Sequence, residues 1–273
     1  MNKISVIIPT YNSEKYVKYA ILSIFKQKYE NYEIIVCDNK SKDKTIPIIK
    51  KISKKKNFPI KIFIRKDKGV ADALNYGFKK TKGDIICWLN SDDLFNHEFV
   101  FSNIDKAFLN NLKKSYLVGN FLNINKFNKV IKFFYSFIPS KKMKNIFYYN
   151  QIFTGSFFFK KNVLKSFGKF NLKYKYAFEY EIIIHALKKY EGIYLNDFLS
   201  CFRILPTALS SNKLELKKEF EEILLNEKLK FSNSLLFKTI SYIKQKVIFG
   251  VIFQKLNFFT KSKFLNKFNF LIS

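Results

Sequence analysis

Gly83-Asp84-Ile85-Ile86-Cys87-Trp88-Leu89-Asn90-Ser91-Asp92-Asp93 decides the fold. Five apolar residues, Ile85 to Leu89, stop abruptly on four polar ones. A run that short is too brief for a buried helix and fits a strand covered on both faces, as in parallel sheets. The same design recurs upstream. Lys3 to Ile8 reads as a buried strand stopped by Pro9 and followed by Thr10-Tyr11-Asn12. Glu33 to Cys37 is a second β-branched run, ending at Asp38, and Ile60 to Ile64 is a third. Helical patterns lie between them. Val17, Ala20, Ile21, Ile24 and Phe25 form one stripe, with Ser13 or Asn12 as its cap. Ile46, Ile49 and Ile52 form the next, and Gly69 to Lys80 is a short helix.

Strands alternating with helices make βαβ units, so the sequence predicts an α/β fold with a mostly parallel central sheet flanked by helices. Ligands of such sheets bind beyond the carboxyl ends of the strands. Thr10-Tyr11-Asn12, Asp38-Asn39 and Asn90 to Asp93 all fall there. Further on, Tyr116 to Ile124 and Phe153 to Lys160 read as strands, and Phe178 to Tyr190 as a helix. The character changes after Leu214. Leu214 to Phe231 is a charged amphipathic helix, and from Lys228 to Ser273 there is no acid, only Lys interleaved with Phe, Leu and Ile. A boundary near Ser211 separates an α/β domain, residues 1–211, from a basic amphipathic helical tail, residues 212–273.

The 273 residues are 48% hydrophobic, with 33 Phe, which is enough to build a core and excludes global disorder. The formal net charge is +29. Such a balance favours polyanionic partners. It is equally what an AT-rich coding sequence yields through Lys, Asn, Ile and Phe. Arg65 and Arg203 are the sole arginines, which argues against base readout in nucleic acid. Cys37, Cys87 and Cys201 form no CxxC pair and suit a reducing compartment. No stretch approaches the ~20 apolar residues needed to span a bilayer. The first apolar run, broken by Pro9 and followed by Glu14, is a poor signal peptide.

Three places carry candidate chemistry. Asn90-Ser91-Asp92-Asp93 offers hard oxygen ligands for Mg²⁺ or Mn²⁺ shared with substrate phosphates, and reads equally well as a helix N-terminus. Asp38 is placed to accept hydrogen bonds from a ribose or base edge, or to serve as a turn residue. No glycine-rich fingerprint follows the first strand, which disfavours a dinucleotide site. Glu179 shares a helical arc with Ile182, Ile183, Ala186 and Tyr190, while Glu181 lies opposite with His185 and Lys188. An acid on an apolar stripe is either a functional carboxylate or one favoured by the helix N-terminus. His97 and His185 have no ligand spacing.

Together these segments resemble the family 2 glycosyltransferases, inverting nucleotide-sugar enzymes with a GT-A fold. Ile4 to Asn12 is similar to the family's opening strand and nucleotide loop, Asp38 to Thr45 to its second motif, and Asp67 to Gly77 to its third. Gly83 to Asp93 resembles the segment ending in the D-x-D metal site, with Asn90 where many members have the first Asp. Gln151 to Lys160 and Gly168 to Leu187 resemble the acceptor-side half, with Glu179 where the base is usually Asp. The resemblance covers residues 3–211 and implies a division of labour. Pro9, Thr10, Tyr11, Asp38, Lys68, Asp72, Asn90 and Ser91 would hold the nucleotide-sugar, although Lys68 also reads as one of many solvated lysines. Asp92, with Asp93, would hold Mg²⁺ or Mn²⁺, and Glu179 would be the base. The implied reaction moves a sugar, by default from a UDP-sugar, to a glycan or lipid-linked acceptor in cell-surface polysaccharide biosynthesis.

The tail then reads as a contact with the anionic inner face of the cell membrane, making a cytoplasmic, peripheral enzyme, or as an extension packed on the domain. Nucleic acid is not an expected partner. The competing readings are a transferase-like protein that has lost catalysis and a basic nucleic-acid-binding protein.

Overall fold

The computed structural model describes residues 1–136, 138, 146–147, 152–206 and 208–231. Of the basic tail expected to touch a membrane, residues 232–273 lie outside the described residues, as do Gln151 and residues 148–150 before it. Among the described residues no helix is long and apolar enough to cross a membrane.

The first half of the chain alternates as expected: β1 (Ile4–Thr10), α1 (Val17–Phe25), β2 (Tyr32–Asp38), α2 (Thr45–Lys56), β3 (Lys61–Ile64), α3 (Val70–Phe78) and β4 (Ile85–Trp88). A short β5 (Leu94–Phe95) and α4 (Val100–Leu109) follow. The second half comprises β6 (Tyr116–Ile124), β7 (Val130–Phe134), β8 (Ile146–Phe147), β9 (Phe157–Lys160), α5 (Lys161–Phe167), α6 (Glu179–Lys189), β10 (Gly192–Arg203), α7 (Lys213–Asn226) and β11 (Lys230–Phe231). Nine strands form one sheet in the order β3-β2-β1-β4-β9-β6-β10-β5, with β7 beside β6. Strands β3, β2, β1 and β4 are mutually parallel, and β10 is parallel to β6. Antiparallel β9 splices the two parallel groups together through β4 and β6.

Alternation along each strand divides the core into two layers. Ile4, Val6, Ile8, Ile34, Val36, Ile85 and Cys87 pack with α1, α2 and α4 on one face. Ile7, Ile35, Cys37, Ile86 and Trp88 pack with α3, α5 and α6 on the other. The sheet is therefore covered on both sides, which is why its strands read as continuous apolar runs. Helix α7, beyond the boundary drawn at Ser211, inserts Phe220, Ile223 and Leu224 into the second layer. Tyr180 and Phe220 rings meet there at 4.5 Å.

Two expectations need correction. Pro9 does not stop β1: it lies inside the strand, in register with Cys37. Odd-numbered residues of β1 turn their peptide groups to β4, as Leu89 N–H donating to Ile7 O shows, and even-numbered ones turn to β2, as Asn39 N–H donating to Thr10 O shows. Pro9 has no N–H to offer on the β4 side. The β1–β2 ladder runs on to Thr10 and Asp38 while the β1–β4 register ends at Ile7 and Trp88. Ser13 and Asn12 do not cap α1 with their side chains; the helix begins at Val17, after a turn in which Ser13 O accepts from Tyr16 and Val17 N–H. Both side chains are taken by neighbouring loops, as described below.

Gly77 lets α3 lie directly on the sheet. A Cβ there would stand 2.7 Å from Ile7 Cγ2 and 3.1 Å from Cys37 Sγ, both on buried residues. Gly77→Ala is expected to cost ~1–3 kcal/mol through overpacking. Urea unfolding of the variant checks this, and a midpoint equal to wild type would show that α3 can lift off freely.

Candidate functional site

The chain leaves β1 for β2 on one side and reaches β4 on the other, so the crevice between the β1 and β4 ends is where a ligand of an open α/β sheet binds. Pro9 opens that crevice. The loops around it are tied to one another by side chains. Asp38 is fully buried at the end of β2. Its Oδ2 accepts from Thr10 Oγ1 at 2.8 Å and from Ser41 Oγ at 2.6 Å, and its Oδ1 from Ser41 N–H at 2.8 Å. Asn12, in the left-handed region, receives Lys42 N–H on its Oδ1 and gives its own N–H to Ser41 Oγ, both at 2.9 Å. Ser13 and Ser91 hydroxyls share a hydrogen bond of 2.8 Å, joining the β1 and β4 loops. Tyr11 projects from this frame, 59% exposed.

The β3–α3 loop closes the third side. Asn39 Oδ1 accepts from Asp67 N–H, and Arg65 N–H donates to Asp38 O, each at 2.9 Å. Asp72 Oδ2 receives Arg65 Nη2 at 3.0 Å and Lys68 N–H at 3.1 Å. The Lys68 side chain is exposed, and Arg65 lies over the Tyr76 ring at 5.0 Å. Burial raises the Asp67 carboxyl above its ordinary range.

The two acids after β4 differ in kind. Asp93 is buried, its Oδ2 taken by Asn90 Nδ2 at 3.0 Å and its Oδ1 by Arg203 N–H at 2.8 Å. Burial and the Asp92 charge hold it well above the usual carboxylate range. Asp92 is half-buried; burial raises its carboxyl, opposed by Arg203. Asp93 thus pins the loop through both of its oxygens. Among the described residues no group of three or more His, Cys, Asp or Glu gathers to hold a metal. One carboxylate suits an ion of the Mg²⁺ type, which takes one or two carboxylates together with substrate phosphates.

Arg203 was missed as a site residue by sequence reasoning. It is completely buried at the end of β10, with Nε donating to Asp92 O at 2.7 Å and Nη1 to Asn125 O at 2.9 Å. The Tyr16 ring faces it at 4.6 Å. Its being one of two arginines in a Lys-rich chain was the available signal.

Glu179 opens α6 and is half-buried. Burial pushes its carboxyl up to about 7, and among the described residues it has no hydrogen-bond or ion-pair partner. Glu181 also rises to about 7 through burial, but it accepts Asn171 N–H at 2.9 Å. Aromatic packing joins Glu179 to the β4 end: Trp88 meets Phe170 at 5.9 Å, and Phe170 meets Phe178 at 5.3 Å. Asn75 fixes Phe170 by bonding both its N–H (2.8 Å) and its carbonyl (3.0 Å). The turn before α6 is held from α7, where Glu219 accepts the N–H groups of Lys175, Tyr176 and Ala177 at 2.6–2.9 Å. His185 bonds Ser166 and His97 bonds Asp197, both as structural groups.

A sheet whose strand order reverses between β1 and β4, with acids following β4, has the architecture of the GT-A glycosyltransferases. Residues 5–167 match the family model for glycosyl transferase family 2, and the chain belongs to that family. It is 30% identical over 219 residues to an uncharacterized glycosyltransferase of Haemophilus influenzae, covering 79% of this chain and 84% of that protein. It is 28% identical over 225 residues to WfgD of Escherichia coli, a UDP-Glc:α-D-GlcNAc-diphosphoundecaprenol β-1,3-glucosyltransferase, covering 80% and 84%. A dolichyl N-acetyl-α-D-glucosaminyl phosphate 3-β-D-2,3-diacetamido-2,3-dideoxy-β-D-glucuronosyltransferase of Methanococcus voltae is 41% identical over 108 residues, which is 38% of this chain. The match spans about a third of that relative's length, 34%. In fold, the chain is similar to Staphylococcus aureus TarS 1-349 in complex with UDP-GlcNAc, with a TM-score of 0.61 and 21% identity over 81% of this chain and 64% of that one. It is likewise similar to the mannosyltransferase PcManGT of Pyrobaculum calidifontis in complex with GDP-Man and Mn²⁺, with a TM-score of 0.62 and 16% identity over 83% and 69%.

A carboxyl whose pKa is raised by folding binds its proton more tightly folded than unfolded. Its contribution to stability is therefore lost as pH rises from the unfolded value of about 4.3 through about 7. Glu179→Gln is expected to be more stable than wild type at pH 8, by on the order of 1–3 kcal/mol, and equal to it near pH 4. Urea unfolding at the two pH values measures the difference, and a pH-independent difference would contradict the desolvated carboxyl.

Proposed function

We propose that the protein is an inverting, metal-dependent glycosyltransferase that moves a sugar from a nucleotide-sugar, with UDP as the first candidate, to a hydroxyl of a glycan or lipid-linked acceptor. The observation that carries this reading is Glu179: a desolvated carboxyl poised near pH 7, without a hydrogen-bond or ion-pair partner among the described residues, that follows Phe178 in an aromatic chain running through Phe170 to Trp88 of β4. The diphosphoundecaprenol acceptor in WfgD's name and the UDP-GlcNAc bound by TarS support the acceptor and donor classes. The Mn²⁺ in PcManGT supports the cation.

In this reading Thr10, Tyr11 and the Asp38 loop receive the nucleoside, with Pro9 keeping the crevice open between the strand ends. Asp38 acts by fixing Thr10 and Ser41, since its own oxygens are already engaged. Asp72 shapes the β3–α3 loop, and Lys68 lies exposed beside it to meet phosphate. Asn90 and Ser91 line the diphosphate side. Asp92 would hold Mg²⁺ or Mn²⁺, and Asp93 would set the loop that carries it. The cation, when bound, neutralises charge on the diphosphate.

Glu179 takes the proton from the acceptor hydroxyl as that oxygen bonds to the anomeric carbon. The bond from that carbon to the diphosphate oxygen breaks on the opposite face, and the nucleoside diphosphate leaves with the electron pair. One displacement inverts configuration and needs no enzyme nucleophile. Glu179 carries one methylene more than the Asp usual in the family, so it reaches the hydroxyl from further back on α6. Cell-surface polysaccharide assembly at the inner face of the membrane is the setting we infer for such a reaction.

Calorimetry with UDP-, GDP- and dTDP-sugars, in Mn²⁺ and in EDTA, tests the donor: binding of one donor that vanishes in EDTA is expected, and absence of all binding would sink the reading. Asp92→Ala should abolish the metal-dependent binding. Glu179→Gln should bind donor normally and transfer sugar ~10²–10⁴-fold more slowly. Because the base works ionised, wild-type turnover should rise with pH through about 7 and level off above it. Wild-type turnover in the Gln variant would remove Glu179 from the mechanism.

A further inference from the structure

Arg203 plays no part in the chemistry above, yet it is as fully buried as Asp38. A fully buried guanidinium is costly unless its donors are met. Those of Arg203 are spent on backbone: Nε on the Asp92 carbonyl and Nη1 on the Asn125 carbonyl. Its own N–H goes to Asp93 Oδ1. One residue therefore touches the Asn90–Asp93 loop twice and also fastens the β6–β7 turn. On the remaining side it is covered by Tyr16, at the start of α1, and by Tyr19 at 5.8 Å. Nη2 is buried with no partner. A core selected for stability alone would do better with an apolar side chain than with a charge whose donors are incompletely met.

The geometry gives the charge a reason to be there. Asp92 is held on the Arg203 side by its own carbonyl, and its neighbour Asp93 is held by the Arg203 N–H. With these two points fixed, the backbone from which the Asp92 side chain springs is held in place. We infer that Arg203 is a positioning residue that aims the Asp92 carboxylate at the donor's diphosphate and its cation, acting through the Asp92 peptide without touching the substrate. This rests on the donor reading above. Lysine is a poor substitute, because its donors share one nitrogen and lack the planar fork in which Nε and Nη1 bond two separate carbonyls.

The test uses the full chain and three variants: Arg203→Lys, Arg203→Met and Tyr16→Leu. Calorimetry gives the Kd and stoichiometry for UDP, GDP and dTDP, each with Mn²⁺ and in EDTA, and urea unfolding reports stability. In both Arg203 variants the Mn²⁺-dependent Kd should weaken roughly tenfold or more, with stoichiometry and any affinity in EDTA unchanged. A merely structural role would instead lower the stoichiometry and leave the Kd of the folded fraction alone, which would overturn the inference. Should neither Arg203 variant fold, Tyr16→Leu decides, since it removes the ring over the guanidinium and none of its hydrogen bonds. About a threefold loss of Mn²⁺-dependent affinity supports the inference, and an unchanged Kd overturns it. If wild type binds none of the nucleotides, the donor reading itself falls, and this inference with it.

Discussion

The missing N–H of Pro9 is the constraint around which the site is arranged. Up to Ile7, β1 is bonded on both sides; beyond it the β4 side has no donor to continue with. The ladder to β2 carries on for three more residues, bringing Thr10 beside Asp38. The chain after Leu89 is free to turn away into Asn90–Asp93. A crevice thus opens in the middle of an otherwise continuous sheet, where the order of strands reverses. An ordinary residue at position 9 could extend the β1–β4 ladder into the space a ligand needs.

Around that opening the polar side chains are used mainly on one another. Asp38, Asn12, Ser13 and Asn39 bond to neighbouring loops, Asp67 and Asp72 bond within the β3–α3 segment, and Asp93 bonds both to Asn90 of its own loop and to Arg203 at the end of β10. The loops are in this way pre-set, and a ligand would meet them with little ordering left to do. Against this background the groups left unengaged stand out. Glu179 is a half-buried carboxyl with no ion-pair partner among the described residues, while the chain as a whole carries a large excess of lysine. Among the described residues the lysines lie mostly at the surface, where their strongly hydrated ammonium groups are favoured.

The first half of the fold was legible because each strand is covered on both faces and each helix on one, which writes runs and stripes directly into the sequence. The polar ends of those runs located the crevice, and the arc through Ile182, Ile183 and Ala186 located Glu179. The second half was harder to read. Strand β10 is twelve residues long but its register shifts between Leu195 and Phe198 and again between Phe198 and Ser200, so no clean alternation survives. Thr154–Ser156 were read as strand, yet they form a 3₁₀ turn ahead of β9, packed where Gly155 alone fits beside Phe153. Within the site, periodicity could not separate Asp92 from Asp93. Their difference comes from Arg203, 110 residues away in sequence. Nor could it show that Asp38 is already saturated, because its partners Thr10 and Ser41 come from two separate loops.

Glu219 has a wider consequence. From helix α7 it gathers three successive N–H groups of the turn that launches α6, and the aromatic ring of Phe220 beside it lies on Tyr180, next to Glu179. Helix α7 therefore helps to set the backbone geometry from which Glu179 and α6 start. Chimeras made by exchanging C-terminal segments between relatives at residue 211 would also exchange the brace beneath Glu179. Natural divergence in α7 would alter activity in the same way, without a single change in the motifs by which the family is recognised.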